Sequence, residues 1–234
     1  MHDPLVRVML SGGCFQLMSA LVEKATKNVE FIRGASLGDS PRALPMRLDA
    51  GEIADVIVFA EDAFPRIRGF LHNETSKRFL AGSSIGIGTV SPKYRSAPTS
   101  FAELLDLLRD VEAFGYSTSV SGQYVMHRLA ELGVSVEICK KGVPSGDSSV
   151  GRLLLNGNAQ IGFQQISELL EIKGVRVLGE VPAEIQKRTN YYIGVLERTR
   201  NVGEANRLID EALACRTLDI LTGLGLSAEE KLGD

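Results

Sequence analysis

The chain has 234 residues, 44% of them hydrophobic and 24% charged, with a formal net charge of -3. That balance belongs to a globular protein with enough chain for one large domain or two lobes. The small negative charge excludes a broad basic face for nucleic-acid phosphates, and no run reaches the ~18 apolar residues that span a bilayer.

Apolar runs bounded by turn residues alternate with helical periodicity along the whole chain. The pattern predicts, in order, a strand at 5–10, a helix at 15–26, a strand at 29–33, a helix at 41–49 and a strand at 56–59. A helix at 64–70, a strand at 84–90, a helix at 100–110 and a strand at 115–117 come next. A helix at 122–132, a strand at 136–138, a helix at 148–156, a strand at 160–164 and a helix at 166–171 follow. Strands at 175–178 and 191–196 and helices at 202–214 and 217–224 complete the chain. Such alternation predicts an α/β fold with mostly parallel sheets and ligand loops at the carboxyl ends of the strands. Ser84–Val90 and Thr189–Val195 are strand-like runs tolerant of a bend. Read as crossings between lobes, they divide the chain into one lobe of residues 1–84 plus 190–234 and another of 85–189, with a ligand cleft and a two-strand hinge between them.

Three stretches offer hydroxyls and unpaired N–H groups at the positive end of a helix, which suits an anion. The first is Ser11-Gly12-Gly13, between the first strand and helix. The second runs Gly34-Ala35-Ser36-Leu37-Gly38-Asp39-Ser40-Pro41-Arg42, where Ser40-Pro41 reads as a helix cap with proline at the first position. Arg42 sits in a helix's first turn, against the dipole, and could grip a carboxylate with two parallel hydrogen bonds. Asp39, beside a bound polyanion, would serve as a general base. The third is Ser119, Ser121, Gly122 and Gln123. Gln164 and Gln165 end an apolar strand, where amides both donate and accept. His127 lies on a helix face with Tyr124 and Glu131, and His2 and His72 are peripheral. Cys14, Cys139 and Cys215 have no metal-ligand spacing and read as buried small hydrophobes, so no metal is expected.

Together these stretches resemble the molybdate-binding-protein family of type II periplasmic-binding folds. Ser11-Gly12-Gly13, the 34–55 block ending in Ala50-Gly51-Glu52-Ile53-Ala54-Asp55-Val56, the run from Tyr116 to Tyr124 and the run from Ala159 to Glu168 carry the likeness. The resemblance implies two α/β lobes closing on an oxyanion held by hydroxyls and N–H groups. It places the first ligand serine on Ser11, the second on Ser36 or Ser40, and N–H donors near Ser121 and Val150. The family's ligand tyrosine falls on Gln165, a departure that favours a carboxylate-bearing ligand.

The chain is also similar to the aconitate isomerase-like subset, with its Gly-x-Ser-x-Gly-x-Ser-Pro, Pro-x-Arg-Leu and Gly-Phe-Gln-Gln runs. The expectation is therefore a cofactor-independent cis/trans isomerase of a small unsaturated di- or tricarboxylic acid. The alternative is the substrate-binding protein of an ABC importer for oxyanions or organic acids, whose partner would be a permease. Location follows the same split: cytoplasmic as the sequence stands, periplasmic if a leader has been removed.

Overall fold

A computed structural model describes residues 5–25, 28–146 and 148–230. His2 and Thr26, the latter the expected end of the first helix, lie outside the described residues. The elements in chain order are β1 (Val6–Ser11), α1 (Phe15–Ala25), β2 (Val29–Gly34), α2 (Leu44–Asp49), β3 (Val56–Ala60), α3 (Phe64–Ile67) and β4 (Arg78–Thr89). Then come α4 (Phe101–Asp110), β5 (Phe114–Tyr116), α5 (Val120–Glu131), α6 (Val136–Cys139), β6 (Gly142–Pro144), α7 (Val150–Leu155), β7 (Ile161–Gln165) and α8 (Ile166–Leu170). The last are β8 (Arg176–Glu180), β9 (Arg188–Val195), α9 (Val202–Cys215), α10 (Leu218–Gly223) and β10 (Leu226–Ser227). No helix among the described residues is long and apolar enough to cross a membrane.

The chain folds into two compact units, residues 1–83 with 189–234 and residues 84–188. In the first unit β1 pairs in parallel with β2 and with β3, and β3 pairs antiparallel with β9. β10 adds a short antiparallel pairing to Gly82 and Ser83 of β4. One face buries Val8, Leu10, Val58 and Ile193 against Leu17 and Leu21 of α1 and Leu208 of α9. The other buries Met9, Ile57 and Phe59 with Leu44 and Leu48 of α2 and Ile67 of α3. Successive strand residues point to opposite faces, so neighbours such as Met9 and Leu10 feed two separate cores.

In the second unit β5 pairs in parallel with β6 and β7, whereas β4 runs antiparallel to both β7 and β8. Here too apolar layers cover both faces. Leu104, Leu108, Val125 and Leu129 pack with Phe114 and Phe163 on one side, and Val150, Leu154 and Leu169 form a smaller cluster. β6 closes this sheet on the outside. The sheets are thus mixed: β4 and β9 bring antiparallel pairing to units whose other strands are parallel, which corrects the expectation of mostly parallel sheets.

Two expected elements change type. Val136–Cys139 is helical where a strand is expected: Ser135 caps it, its hydroxyl accepting from the N–H of Ile138 at 3.4 Å. A four-residue apolar alternation is too short to overrule a local cap. The strand that fills the sheet is instead Gly142–Pro144, in register with Phe114–Tyr116. The helix expected at 41–49 begins at Leu44, after a turn in which the N–H of Ala43 bonds to the carbonyl of Ser40 at 2.8 Å. Pro45 accounts for this. A helix starting at Pro41 would need an N–H at residue 45 for its own ladder, which proline lacks; starting at Leu44 puts Pro45 in the first turn, where no N–H is needed.

Candidate functional site

Parallel strands end together, so the loops that follow them gather on one edge of each sheet. In the first unit the register sets Ser11 beside Gly34 and Leu10 beside Val58. The carboxyl ends of β1, β2 and β3 therefore present Ser11-Gly12-Gly13, the loop after Gly34, and Ala60 on one edge. Ser11 and Ser36 are both buried there. The Ser36 hydroxyl accepts a hydrogen bond from the N–H of Ala60 at 2.9 Å. With an N–H aimed at its oxygen, that hydroxyl can turn its own proton toward an acceptor.

Gly12–Cys14 forms a single 3-10 turn that feeds α1. A Cβ on Gly13 would lie 2.2 Å from the hydroxyl of Tyr191, a buried residue of β9. Tyr191 therefore floors the first loop, and only a hydrogen fits at position 13. Beside it, Asn190 donates from Nδ2 to Glu61 Oε2 at 2.9 Å, joining β9 to the end of β3. Sequence reasoning passed over Tyr191, Asn190 and Glu61; the one signal available was a polar residue on a strand otherwise read only as a hinge.

The loop of residues 35–43 is closed at its base by the N–H of Leu44 on the carbonyl of Ala35, 2.8 Å. Asp39 and Arg42 are exposed on it, and Ser40 is half-buried. The hydroxyl of Ser40 accepts from the N–H of Arg42 at 3.3 Å. Arg42 thus stands in a turn before the helix, outside the first helical turn expected for it. Arg47 ties the loop down, donating to the carbonyl of Arg42 at 3.2 Å and pairing with Glu52 at 2.6 Å.

In the second unit the corresponding edge carries Ser117 after β5, Ser145 after β6 and Gln164 and Gln165 at the end of β7, all buried. The Ser117 and Ser119 hydroxyls lie 2.7 Å apart, and Ser117 Oγ accepts from the N–H of Ser119 at 3.1 Å. Thr118 donates from Oγ1 to the carbonyl of Gly146 at 2.8 Å, lacing the β5 and β6 loops together. Ser121 lies in the first turn of α5, and its hydroxyl is buried without a hydrogen-bond partner. A buried hydroxyl in that state calls for a partner from outside the chain or a water. Gly122 is where the helix meets the loop: a Cβ there would fall 1.9 Å from the carbonyl oxygen and 2.4 Å from the nitrogen of Ser117.

Two residues of this edge are engaged internally. Gln123 is exposed and donates from Nε2 to the carbonyl of Thr118 at 2.8 Å. Val150, expected to offer its N–H to a ligand, gives it to Gln164 Oε1 at 3.1 Å in a buried bond. That bond fixes the orientation of the Gln164 amide: its oxygen faces α7, and the polar atom left over is a donor.

The Ala50–Val56 phrase, a strong element of the resemblance, lies at the other end of the strands. Gly51 and Glu52 close α2 by N–H bonds to the carbonyls of Leu48 and Arg47, both 3.0 Å. Asp55 accepts from the N–H of Arg7 at 2.8 Å and from the hydroxyl of Thr199 at 2.6 Å. That carboxylate braces the amino-terminal edge of the first sheet. Tyr192, next to Tyr191, donates to Glu230 at 2.5 Å, and burial with the nearby carboxylates Glu230 and Glu61 pushes its phenol above the usual range. Among the described residues no group of three or more His, Cys, Asp or Glu is arranged to hold a metal ion.

Comparison with known proteins places the chain in a family and a fold. Residues 6–226 match the family profile of bacterial extracellular solute-binding proteins. The chain is 28% identical over 213 residues to an aconitate isomerase of a Pseudomonas species, covering 86% of this chain and 79% of that protein. Its fold is similar to that of the periplasmic molybdate-binding protein of Azotobacter vinelandii, with a TM-score of 0.76 and 15% identity over 96% of this chain and all of the other. It is similar as well to the substrate-binding domain of a putative molybdenum ABC transporter from Clostridium difficile, with a TM-score of 0.66 and 17% identity over 97% and 99% of the two chains. At these identities the solved structures establish the two-lobed α/β fold.

Proposed function

This chain belongs to the bacterial extracellular solute-binding protein family, and from that premise we propose that it binds a small unsaturated polycarboxylate and interconverts its cis and trans forms. The observation that carries the binding half is the buried, unpartnered Ser121 hydroxyl at the opening of α5, beside the Ser117–Ser119 pair. An ionised carboxylate oxygen supplies the acceptor such a hydroxyl lacks. Ser11 and Ser36 offer buried hydroxyls on the first unit, the latter already accepting from the N–H of Ala60.

The catalytic half rests on the likeness to aconitate isomerase and on the chemistry of such a ligand. A base removes a proton from the saturated methylene, the double bond shifts one carbon along, and a proton returns to the carbon that was vinylic. The charge that builds on the adjacent carboxylate is met by preorganised hydroxyl and N–H donors. Asp39, exposed on the loop of residues 35–43, is the base in this reading, and Arg42 on the same loop fits a carboxylate. The test is proton NMR of cis- and trans-aconitate with the protein in deuterated buffer. Deuterium entering the methylene together with isomer interconversion supports the reading, with Asp39→Asn losing turnover while keeping binding. Absence of both exchange and interconversion refutes it.

A second reading is solute capture for an ABC permease without turnover, favoured by the molybdate-binding and ABC-transporter structures that share the fold. Calorimetry decides for it when molybdate or a saturated acid binds tightly and no acid exchanges.

A further inference from the structure

Successive residues of β7 serve opposite faces of the second unit's sheet. Phe163 joins the cluster of Phe114, Leu104 and Leu129, whereas a Cβ on Gly162 would lie 2.2 Å from Cγ1 of Val150. Gln164 is two residues on from Gly162 and so shares the face that α7 covers. There its Oε1 accepts the N–H of Val150 at 3.1 Å, and the residue is 5% exposed.

That bond fixes more than the oxygen. A carboxamide is planar, so an oxygen tied to one side leaves the two hydrogens of Nε2 pointing another way. Among the described residues Nε2 has no partner, and it is not one of the side-chain atoms sealed off without one, so it opens at the surface. Beneath it lies Gly162 under Val150. On the β4 flank Gly86 stands opposite, and a Cβ there would fall 2.5 Å from Cγ1 of Ile166. On the β5 flank the register that pairs Tyr116 with Phe163 brings Ser117 alongside. With apolar groups below and to one side, the open direction is the carboxyl edge, where Ser117 and Ser145 are buried. A buried amide with unused donors calls for an acceptor.

We infer that Gln164 is a specificity-determining residue that donates from Nε2 to a carboxylate oxygen of the ligand, an inference that rests on the polycarboxylate reading above. The N–H of Val150 is the group that positions it. Locked in this way, the amide presents donors alone, so it selects an acceptor and turns away an ammonium group. Ser121 is a separate donor on the same unit.

The experiment is side-chain amide NMR and calorimetry on the full chain carrying isotope-labelled glutamine. The ligands are trans-aconitate and tricarballylate, its saturated analogue. Saturating tricarballylate is expected to move the Gln164 amide protons downfield. The amide of Gln160, at the amino end of β7 with its Oε1 on the N–H of Ala113, is expected to stay in place. Gln164→Glu keeps an oxygen for the Val150 N–H and exchanges the donor for a second acceptor. At about pH 9, where a carboxyl bonded by an N–H is ionised, it is expected to weaken tricarballylate by about tenfold or more. A residue that only caps Val150 would leave that affinity within about threefold of wild type. The NMR reading uses wild type alone, so it decides even where the variant is unstable. Gln164 protons that do not move at saturation, or an unchanged affinity in the folded variant, overturn the assignment of Gln164 alone. Wild type giving no binding heat with either acid overturns the polycarboxylate reading beneath it.

Discussion

Replacing Gly122 with alanine separates two opposed effects, and the structure says which wins. Alanine is the better helix former by about 1 kcal/mol in a helix interior, so propensity alone predicts a gain. Position 122, however, is the third residue of α5, and a Cβ there falls 1.9, 2.4 and 2.7 Å from the O, N and C atoms of Ser117. Those are main-chain atoms held by β5, and ordinary contact begins near 3.4 Å, so loop and helix must separate by more than an ångström. Overpacking of a rigid core costs about 1–3 kcal/mol, and contact with three main-chain atoms of Ser117 puts this case at the upper end. The net expectation is a loss of about 1–2 kcal/mol. At about 2–4 °C per kcal/mol for a chain of this size, the midpoint falls by roughly 2–8 °C. The separation also moves Ser121 away from Ser117 and Ser119, so ligand affinity should fall more than stability does. Thermal unfolding and calorimetry read the two quantities. A midpoint at or above wild type would refute the close approach of α5 to Ser117.

Ser36→Ala takes away the acceptor of the buried Ala60 N–H and should cost about 1–3 kcal/mol in urea unfolding together with affinity; Ser40→Ala, whose hydroxyl accepts from Arg42 on a half-buried turn, should cost less of both. Gln164→Leu leaves the buried N–H of Val150 without its partner and should destabilise by about 1–3 kcal/mol, whatever the ligand. Asp110, hydrogen-bonded by Lys93 and Tyr94, is held below the ordinary carboxylate value near 4. Its stabilising contribution is present above that value and disappears as pH falls through its lowered folded-state pKa. The stability gap between wild type and Lys93→Met should therefore be present at pH 7 and close on acidification; a gap that widens would contradict the pair.

Fold class was legible because it rests on period. Val56–Ala60 and Ile161–Gln165 are short apolar runs bounded by turn signals, and both are strands with both faces covered. The failures came where a short local pattern competes with tertiary context. Val136–Cys139 alternates like a strand, but Ser135 caps it; Gly142–Pro144 carries no strand signal, yet Phe114–Tyr116 supplies a partner. Among candidate site residues, hydroxyls near helix starts could be found because caps and anion sites share one physics. Which of them is engaged internally could not be read, since the bond from Val150 to Gln164 joins residues 14 apart in sequence. Tyr191 escaped for a related reason: its place depends on register, which sets it beside Ala60 and under Gly13. The Ala50–Val56 phrase shows the converse, for a readily recognised string can serve architecture at the edge away from the donor loops.

The outermost strand of the second unit bears on how this protein behaves when crowded. An unpaired strand margin is a template on which a second molecule can add its own backbone and begin a fibril. Gly142–Pro144 is three residues long, and its last residue is a proline with no N–H to donate. A neighbour trying to zip onto it finds a foothold too short and too poor in donors to extend, so the feature that hid this strand from sequence reading also guards this edge against self-assembly.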